Sequence, residues 1–209
     1  MTKLVEMTVS EFLYELASSS PAPGGGSVAA LSGALGAALS SMVCNLTLGK
    51  KDYGPVQEEI QSLLNTSEHL RQRLSGLVDR DTEAFNKVMD AYRLSKETDS
   101  QKEKRKQAIQ HALKTAAQVP LETAKTCIEL LAVIVDVAEK GNKSSISDAA
   151  VSAVMAHAGV ESAILNIKIN LGSIQDKEWV ARISHEIETI QKNADEKTKK
   201  ILKIVETTT

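Results

Sequence analysis

Two aspartates and two asparagines stand where a helical protein would ordinarily place apolar or small residues. Asp81 falls in the middle of an apolar stripe made by Leu74, Leu77, Val78, Phe85 and Val88. A carboxylate without a partner there is costly, or it shifts its pKa upward and holds its proton. A carboxyl group so shifted can exchange protons near neutral pH, which is what general acid–base catalysis uses. The competing explanations are a pair with Arg80 or a neighbouring helix, or a register that leaves Asp81 in solvent. A second stripe, projected at about 100° per residue, joins Asp148, Met155, Gly159, Ser162, Asn166 and Asn170. Asn166 and Asn170, one turn apart, present donors and acceptors suited to a flat heterocycle. A polar contact between helices or subunits has the same pattern, and Asp148 alone also reads as a helix cap. "GKKDY" adds Lys50, Lys51 and Tyr53. A lysine there can meet a carboxylate or lower a neighbour's pKa; an ordinary solvated pair is the plainer explanation.

The remaining chemical signature is "SSSPAPGGGS", residues 18–27. Pro23 precedes Gly24, Gly25 and Gly26, and Ser27 is placed to cap the helix that follows. Glycines at a helix N-terminus let backbone N–H groups meet an anion or a carbonyl oxygen. The segment is not a phosphate loop of the Walker type, because no Lys-Ser/Thr follows and no strand precedes it. Other constellations are missing. His69, His111, His157 and His185 lack HExxH or Glu-x-x-His spacing, and neither a GxSxG elbow nor a Cys–His nucleophile motif is present. No metal is suggested for the reaction.

These residues need elements to hold them. The chain has 209 residues, enough for one domain with a sizeable core. Aromatics are only 3% against 42% apolar residues, so the core is Ala, Leu, Ile and Val, which favours close-packed helices. A net charge of −2 gives no basic field for nucleic acid. Cys44 and Cys127 each sit in a helical period without a partner motif and read as reduced core thiols of a cytoplasmic protein. No signal peptide is expected. Residues 27–48 are uncharged but rich in Ala, Gly and Ser, which favours a buried soluble helix over a membrane span.

The periodicity predicts six or seven helices and no strand. A short helix covers 8–17, capped by Thr8 or Ser10, with Phe12, Leu13 and Leu16 on one face. A central helix from Ser27 to about Gly49 carries the small-residue stripe Ala29, Gly33, Ala37 and Ser41. "KKDYGPV" is a turn. A helical period from Val56 to Leu94, apolar as far as Met89 and Tyr92, would be about 60 Å long if unbroken. Helices over 102–118 and 121–140 are separated or kinked at Pro120. The next helix starts at "SSISD", where Ser145 and Asp148 have capping-box spacing, and runs to Leu171. Asp176 caps a last helix whose Val180, Ile183, Ile187, Ile190, Ala194, Lys197, Ile201 and Ile204 form a heptad seam. The expected fold is all-α: a single-domain antiparallel helical bundle over residues 1–209, with long helices around a central small-residue helix.

The motifs "PAPGGGSVAALSGALGAALSSMV", "GKKDY", "DRDTEAFNKVMDAY", "AAQVPLETA" and "GNKSSISDAAV…NIKINL" occur in this order. Together they resemble the cyclodeaminase/cyclohydrolase family over residues 5–205. That family includes the C-terminal domain of formiminotransferase-cyclodeaminase and stand-alone methenyltetrahydrofolate cyclohydrolases. The resemblance implies an all-helical homodimer with a folate site near the subunit interface, a tetrahydrofolate derivative as substrate, with or without a polyglutamate tail, and no metal. It implies ring closure of 5-formiminotetrahydrofolate with release of ammonia. The alternatives are hydrolysis of the methenyl bridge, or folate binding without catalysis. No transferase domain is seen, so formimino transfer is not expected. On this basis Asp81 is expected as the acid or base, with Asp148 second. Lys50 would orient a carboxylate or contact the glutamate tail, and Tyr53 would stack or donate. Gly24, Gly25, Gly26 and Ser27 would supply backbone donors beside Pro23. Asn142, Asn166 and Asn170 would fix the pterin amide edge.

Overall fold

A computed structural model describes residues 3–208; the ends of the expected 1–209 domain, residues 1, 2 and 209, lie outside the described residues. Six helices follow one another: α1 (Val9–Leu16), α2 (Gly25–Thr47), α3 (Gln57–Arg93), α4 (Asp99–Lys140), α5 (Ile146–Leu171) and α6 (Lys177–Thr208). Short 3-10 segments occupy Leu4–Glu6, Lys51–Val56 and Lys143–Ser145, and the described residues contain no strand.

Local chemistry sets the boundaries. Thr8 closes a capping box on α1: its hydroxyl accepts the Glu11 N–H at 3.2 Å, and the Glu11 carboxylate accepts the Thr8 N–H at 2.8 Å. Thr98 and Gln101 repeat the device on α4. Gly49 adopts φ +76° just past α2, a conformation that favours glycine at a helix stop. Asp176 caps α6 as expected, accepting the Trp179 N–H at 3.0 Å.

α2 is the central helix. It packs on α3, α4 and α5, and its stripe Ala29, Gly33, Ala37 and Ser41 is buried. A methyl group on Gly33 would stand 2.6 Å from Cys127 Sγ, and one on Gly36 would stand 2.8 Å from the Ser152 carbonyl oxygen. The small residues therefore set how closely α4 and α5 approach. α2 and α5 run antiparallel: Ser32 Oγ donates to the Met155 carbonyl at 2.9 Å, and Ser152 Oγ donates to the Gly36 carbonyl at 2.6 Å. Cys44 and Cys127 are buried free thiols, pushed up to about 11 and about 12 by desolvation. α2 and the 143–171 segment are each long and apolar enough to cross a membrane. The enclosure of α2 by three helices accounts for its composition as a core helix.

Five expectations change. Ser27 is not a cap: Gly24 is the N-cap, and Ser27 lies buried in the first turn of α2. "KKDYGPV" forms a 3-10 segment rather than an open turn. α3 is unbroken, but Met89 and Tyr92 are exposed, as is Leu13 on α1. The two helices expected around Pro120 are one helix, α4, with the proline inside it. The Ser145–Asp148 box is not formed; Ser145 Oγ instead donates to the Asn142 carbonyl at 3.0 Å. The α6 seam buries Ile183, Ile187, Ile190, Ala194, Thr198 and Ile201 against α4 and α5 of the same chain, with Lys197 half-exposed.

Candidate active site

Asp81 sits about two-thirds of the way along α3, opposite the N-terminus of α2. The packing is close enough that a Cβ on Gly26 would lie 2.1 Å from Asp81 Oδ1. Only a glycine can occupy that position without moving the carboxyl group. The expected partner Arg80 turns away and pairs with Glu122 at 2.9 Å. Among the described residues Asp81 has no cationic partner. Burial pushes its pKa above the ordinary 3.8, while the Ser27 N–H and hydroxyl pull the other way. The Ser27 hydroxyl is shared: 2.8 Å to the Val78 carbonyl and 3.4 Å to Asp81 Oδ2.

Asp81 forms one wall of a cleft of about 290 Å³, bordered by Gly24, Gly25 and Gly26, by Thr82 and Phe85 of α3, and by Asn166 and Asn170 of α5. Asn166 Nδ2 donates to the Ser162 carbonyl at 2.8 Å, and Asn170 Nδ2 donates to the Asn166 carbonyl at 2.9 Å. Both amides therefore spend donors on their own helix and keep carbonyl oxygens for the cleft. The first N–H groups of α2 have no partner within the helix, which leaves backbone donors at the glycine wall of the same cleft.

Pro120 shapes the same cleft. Lacking an N–H, it cannot bond the Ala116 carbonyl one turn earlier. That carbonyl accepts instead from Asn170 Nδ2 at 3.4 Å, and Ala116 lines the cleft. The proline is thus tolerated inside α4 because the orphaned acceptor is used elsewhere.

The other expected residues gather at the far end of the α2–α5 pair. Asn142 is buried; its N–H donates to Thr47 Oγ1 at 2.8 Å and its Nδ2 to the Leu46 carbonyl at 3.1 Å, while its Oδ1 accepts the Ser144 N–H at 3.1 Å. It locks the α4–α5 turn onto α2, so its expected role in reading a heterocycle in this cleft is not supported by its position. Tyr53 is half-buried, and its hydroxyl accepts the Lys143 N–H at 3.0 Å. Lys50 is exposed beside it, and Asp148 is half-buried on the first turn of α5. About 27 Å of helix axis separates Asp148 from Asn166. Pro23 is buried behind the glycines, with Pro21 and Ala22 at the cleft edge. One chain therefore holds two separated groups, not one constellation. Thr82, Phe85 and Ile169 line the cleft but were not singled out in the sequence. Phe85 has the spacing of a core residue, and the one available signal was its position one turn from Asp81.

Known proteins share this arrangement of helices and motifs. Residues 8–189 match the family model described as formiminotransferase-cyclodeaminase. The chain is 49% identical over 181 residues to a methenyltetrahydrofolate cyclohydrolase of Methylorubrum extorquens, covering 87% of each. It is 35% identical over 191 residues to the formimidoyltransferase-cyclodeaminase of Rattus norvegicus, covering 91% of this chain but only 35% of that longer protein. The solved structure of a formiminotetrahydrofolate cyclodeaminase from Thermotoga maritima superposes with a TM-score of 0.88 at 31% identity, covering 98% of both chains. The all-helical fold, the glycine-lined cleft beside Asp81 and these matches together place the chain in the formiminotransferase-cyclodeaminase family, among the enzymes of folate one-carbon metabolism.

Proposed function

We propose that the protein is a methenyltetrahydrofolate cyclohydrolase, working on the one-carbon bridge between N5 and N10 of a tetrahydrofolate. The carrying observation is Asp81: a partly buried carboxyl with a raised pKa, no cation beside it among the described residues, and the N-terminus of α2 packed directly against it at the wall of a cleft. Water adds to the bridging carbon and gives up its proton to the Asp81 carboxylate. The C–N5 bond then breaks as the carbinol hydroxyl loses its proton to solvent and becomes the formyl oxygen, and N5 takes back the proton held by Asp81, leaving 10-formyltetrahydrofolate. Asn166 and Asn170 accept from the N–H groups of the pterin ring, and Gly24, Gly25 and Gly26 donate to its carbonyl oxygen.

The 49% identity to a stand-alone cyclohydrolase favours water as the nucleophile over the ring closure ranked first from sequence. Cyclodeamination is the second reading, favoured by the end-to-end match to a stand-alone cyclodeaminase. There N10 attacks the formimino carbon and loses its proton, and ammonia leaves with one. Methenyltetrahydrofolate absorbs in the near ultraviolet, so one spectrophotometric experiment separates the cases. Accelerated loss of that band supports hydrolysis, and its appearance from 5-formiminotetrahydrofolate supports cyclodeamination. The absence of both changes would overturn catalysis.

The cleft is at the low end of the ~300–1,000 Å³ typical of ligand sites, room for the head of a folate and not its tail. Along the adjoining α2–α5 face, Leu35, Met42, Leu46, Val151, Val154, Leu165 and Ile169 are exposed, the last at 80%. A second copy related by a two-fold axis across this face would cover these residues. With that axis perpendicular to α2 and α5, the operation carries the Lys50, Tyr53 and Asp148 end of one copy toward the Asp81 end of the other. The proposed working unit is therefore a homodimer, with Lys50 and Asp148 completing the site across the interface. Asp81→Asn and Lys50→Ala proteins, each inactive, would recover about a quarter of wild-type activity when mixed and re-equilibrated, since half the dimers would carry one intact site. Failure of the mixture to recover, with dimers exchanging, would overturn this placement while leaving the proposed reaction standing.

A further inference from the structure

His157 and Glu161, one turn apart on α5, face Asp195 on α6, and their ligating atoms all lie within 4.8 Å of one another. His157 Nε2 is 2.8 Å from Asp195 Oδ1. Glu161 is held from the other side by Gln191 of α6, whose Nε2 is 2.9 Å from each carboxylate oxygen. The three ligands are half-buried.

Charge distinguishes this cluster from the rest of the α6 seam. Elsewhere the interhelical carboxylates meet lysines: Asp176 with Lys114 at 2.7 Å, Glu186 with Lys125 at 2.5 Å and Glu139 with Lys200 at 2.8 Å. Among the described residues, Glu161 and Asp195 have no Lys or Arg partner: Asp195 meets His157, and Glu161 meets the neutral amide of Gln191. Two carboxylates so close repel unless a cation lies between them.

We propose that His157, Glu161 and Asp195 bind a divalent cation of the zinc class that ties α5 to α6. One imidazole and two carboxylates form a nitrogen–oxygen set that suits Zn²⁺ better than Mg²⁺ or Ca²⁺, which prefer oxygen alone. Tetrahedral bonds of ~2.0 Å put ligand atoms roughly 3.3 Å apart. The His157–Asp195 pair, at 2.8 Å, needs to open by about 0.5 Å and the wider separations to close by about 1.5 Å or less, within the reach of rotamer adjustment on two packed helices. Water would complete the coordination. Gln191 acts on the metal only through Glu161, as a positioning residue. The site lies apart from the Asp81 cleft, and its test does not depend on the proposed reaction.

The experiment is calorimetric titration of ZnCl₂ into the tag-free full-length protein, with thermal melts at matched zinc concentrations. Expected is saturable binding of one zinc per chain, with Tm rising as zinc is added. His157→Gln and Asp195→Asn should each weaken binding tenfold or more; Gln191→Ala should weaken it by about 10-fold. Asp81→Asn should bind zinc as the wild type does. Co²⁺ in place of Zn²⁺ should give the visible absorption of a low-coordinate site, lost in His157→Gln. Circular dichroism of each variant identifies any that fail to fold, and the cobalt spectrum then tests the wild-type protein alone. Zinc binding that survives both His157→Gln and Asp195→Asn would overturn the proposal. So would the absence of saturable binding, or equal affinity for MgCl₂.

Discussion

Replacing Gly26 with alanine should separate folding from catalysis. The new methyl carbon would lie 2.1 Å from Asp81 Oδ1, 2.4 Å from Cγ and 2.5 Å from Oδ2. The carboxyl group must therefore retreat by about 1 Å, to a contact distance tolerated by carbon and oxygen. A displacement of that size in a reacting group costs roughly 10²-fold in rate, or about 2.7 kcal/mol of barrier. The stability terms are smaller and opposed. Alanine in a helix gains up to ~1 kcal/mol over glycine, and an aspartate forced off its rotamer loses ~0.5–1.5 kcal/mol. The variant should fold, with Tm shifted by no more than about 4 °C, and should turn over methenyl- or formiminotetrahydrofolate about 100-fold more slowly. Gly76→Ala is the control, because a methyl there meets nothing within 4 Å and faces solvent on α3. It should gain ~0.5–1 kcal/mol without changing kcat. A Gly26→Ala protein with kcat within about twofold of wild type, far from the expected ~10², would refute the placement of Asp81 at the reacting centre.

Three further outcomes are expected. Because burial raises the Asp81 pKa above 3.8, the folded state holds this proton more tightly than the unfolded chain. The contribution to stability is full below the unfolded value and is lost as pH rises through the folded one. Asp81→Asn should therefore gain stability over wild type as pH increases from 3.8, in denaturant melts across that range. The rate profile of the wild type should carry an ionisation above 3.8. Pro120→Ala restores a donor to the Ala116 carbonyl and relieves a helix-interior proline, so stability should stay level or rise while KM increases as the Asn170 amide loses its second acceptor. Leu35→Glu with Val154→Glu charges the exposed α2–α5 face, and sedimentation should show monomers with folded far-ultraviolet spectra.

Several local signals were legible because one segment suffices to determine the outcome, although the Ser27 cap and the Ser145–Asp148 box did not form. Thr8 and Asp176 announced helix starts, because a cap needs only its own first turn. The Ala29, Gly33, Ala37 and Ser41 stripe announced a central helix, because small residues at spacing four have few other uses. Asp81 was legible as a carboxyl on an apolar stripe, and its upward shift follows from the desolvation that the stripe implies. Pro120 was only half-legible. The missing N–H is local, but the acceptor it frees is reused by Asn170 from another helix, so the helix continues through a residue that propensity treats as a stop.

What the sequence determined by itself was the helical class and most of the helices, the presence of a carboxyl group on an apolar stripe and the chemical type of its neighbours, since these rest on periodicity and side-chain chemistry within each segment. The tertiary structure decided which residues meet. It turned Arg80 toward Glu122, drew Gly26 against Asp81, and spent Asn142 on the α4–α5 turn. About 27 Å of α5 axis lies between Asp148 and Asn166, and only the Asn166 end lies beside α3 at the cleft, so the two share a stripe but not a cleft. One helix face is a line in sequence projection and a distance in space. Only the packing of α2, α3 and α5 fixes which end of that line meets the acid.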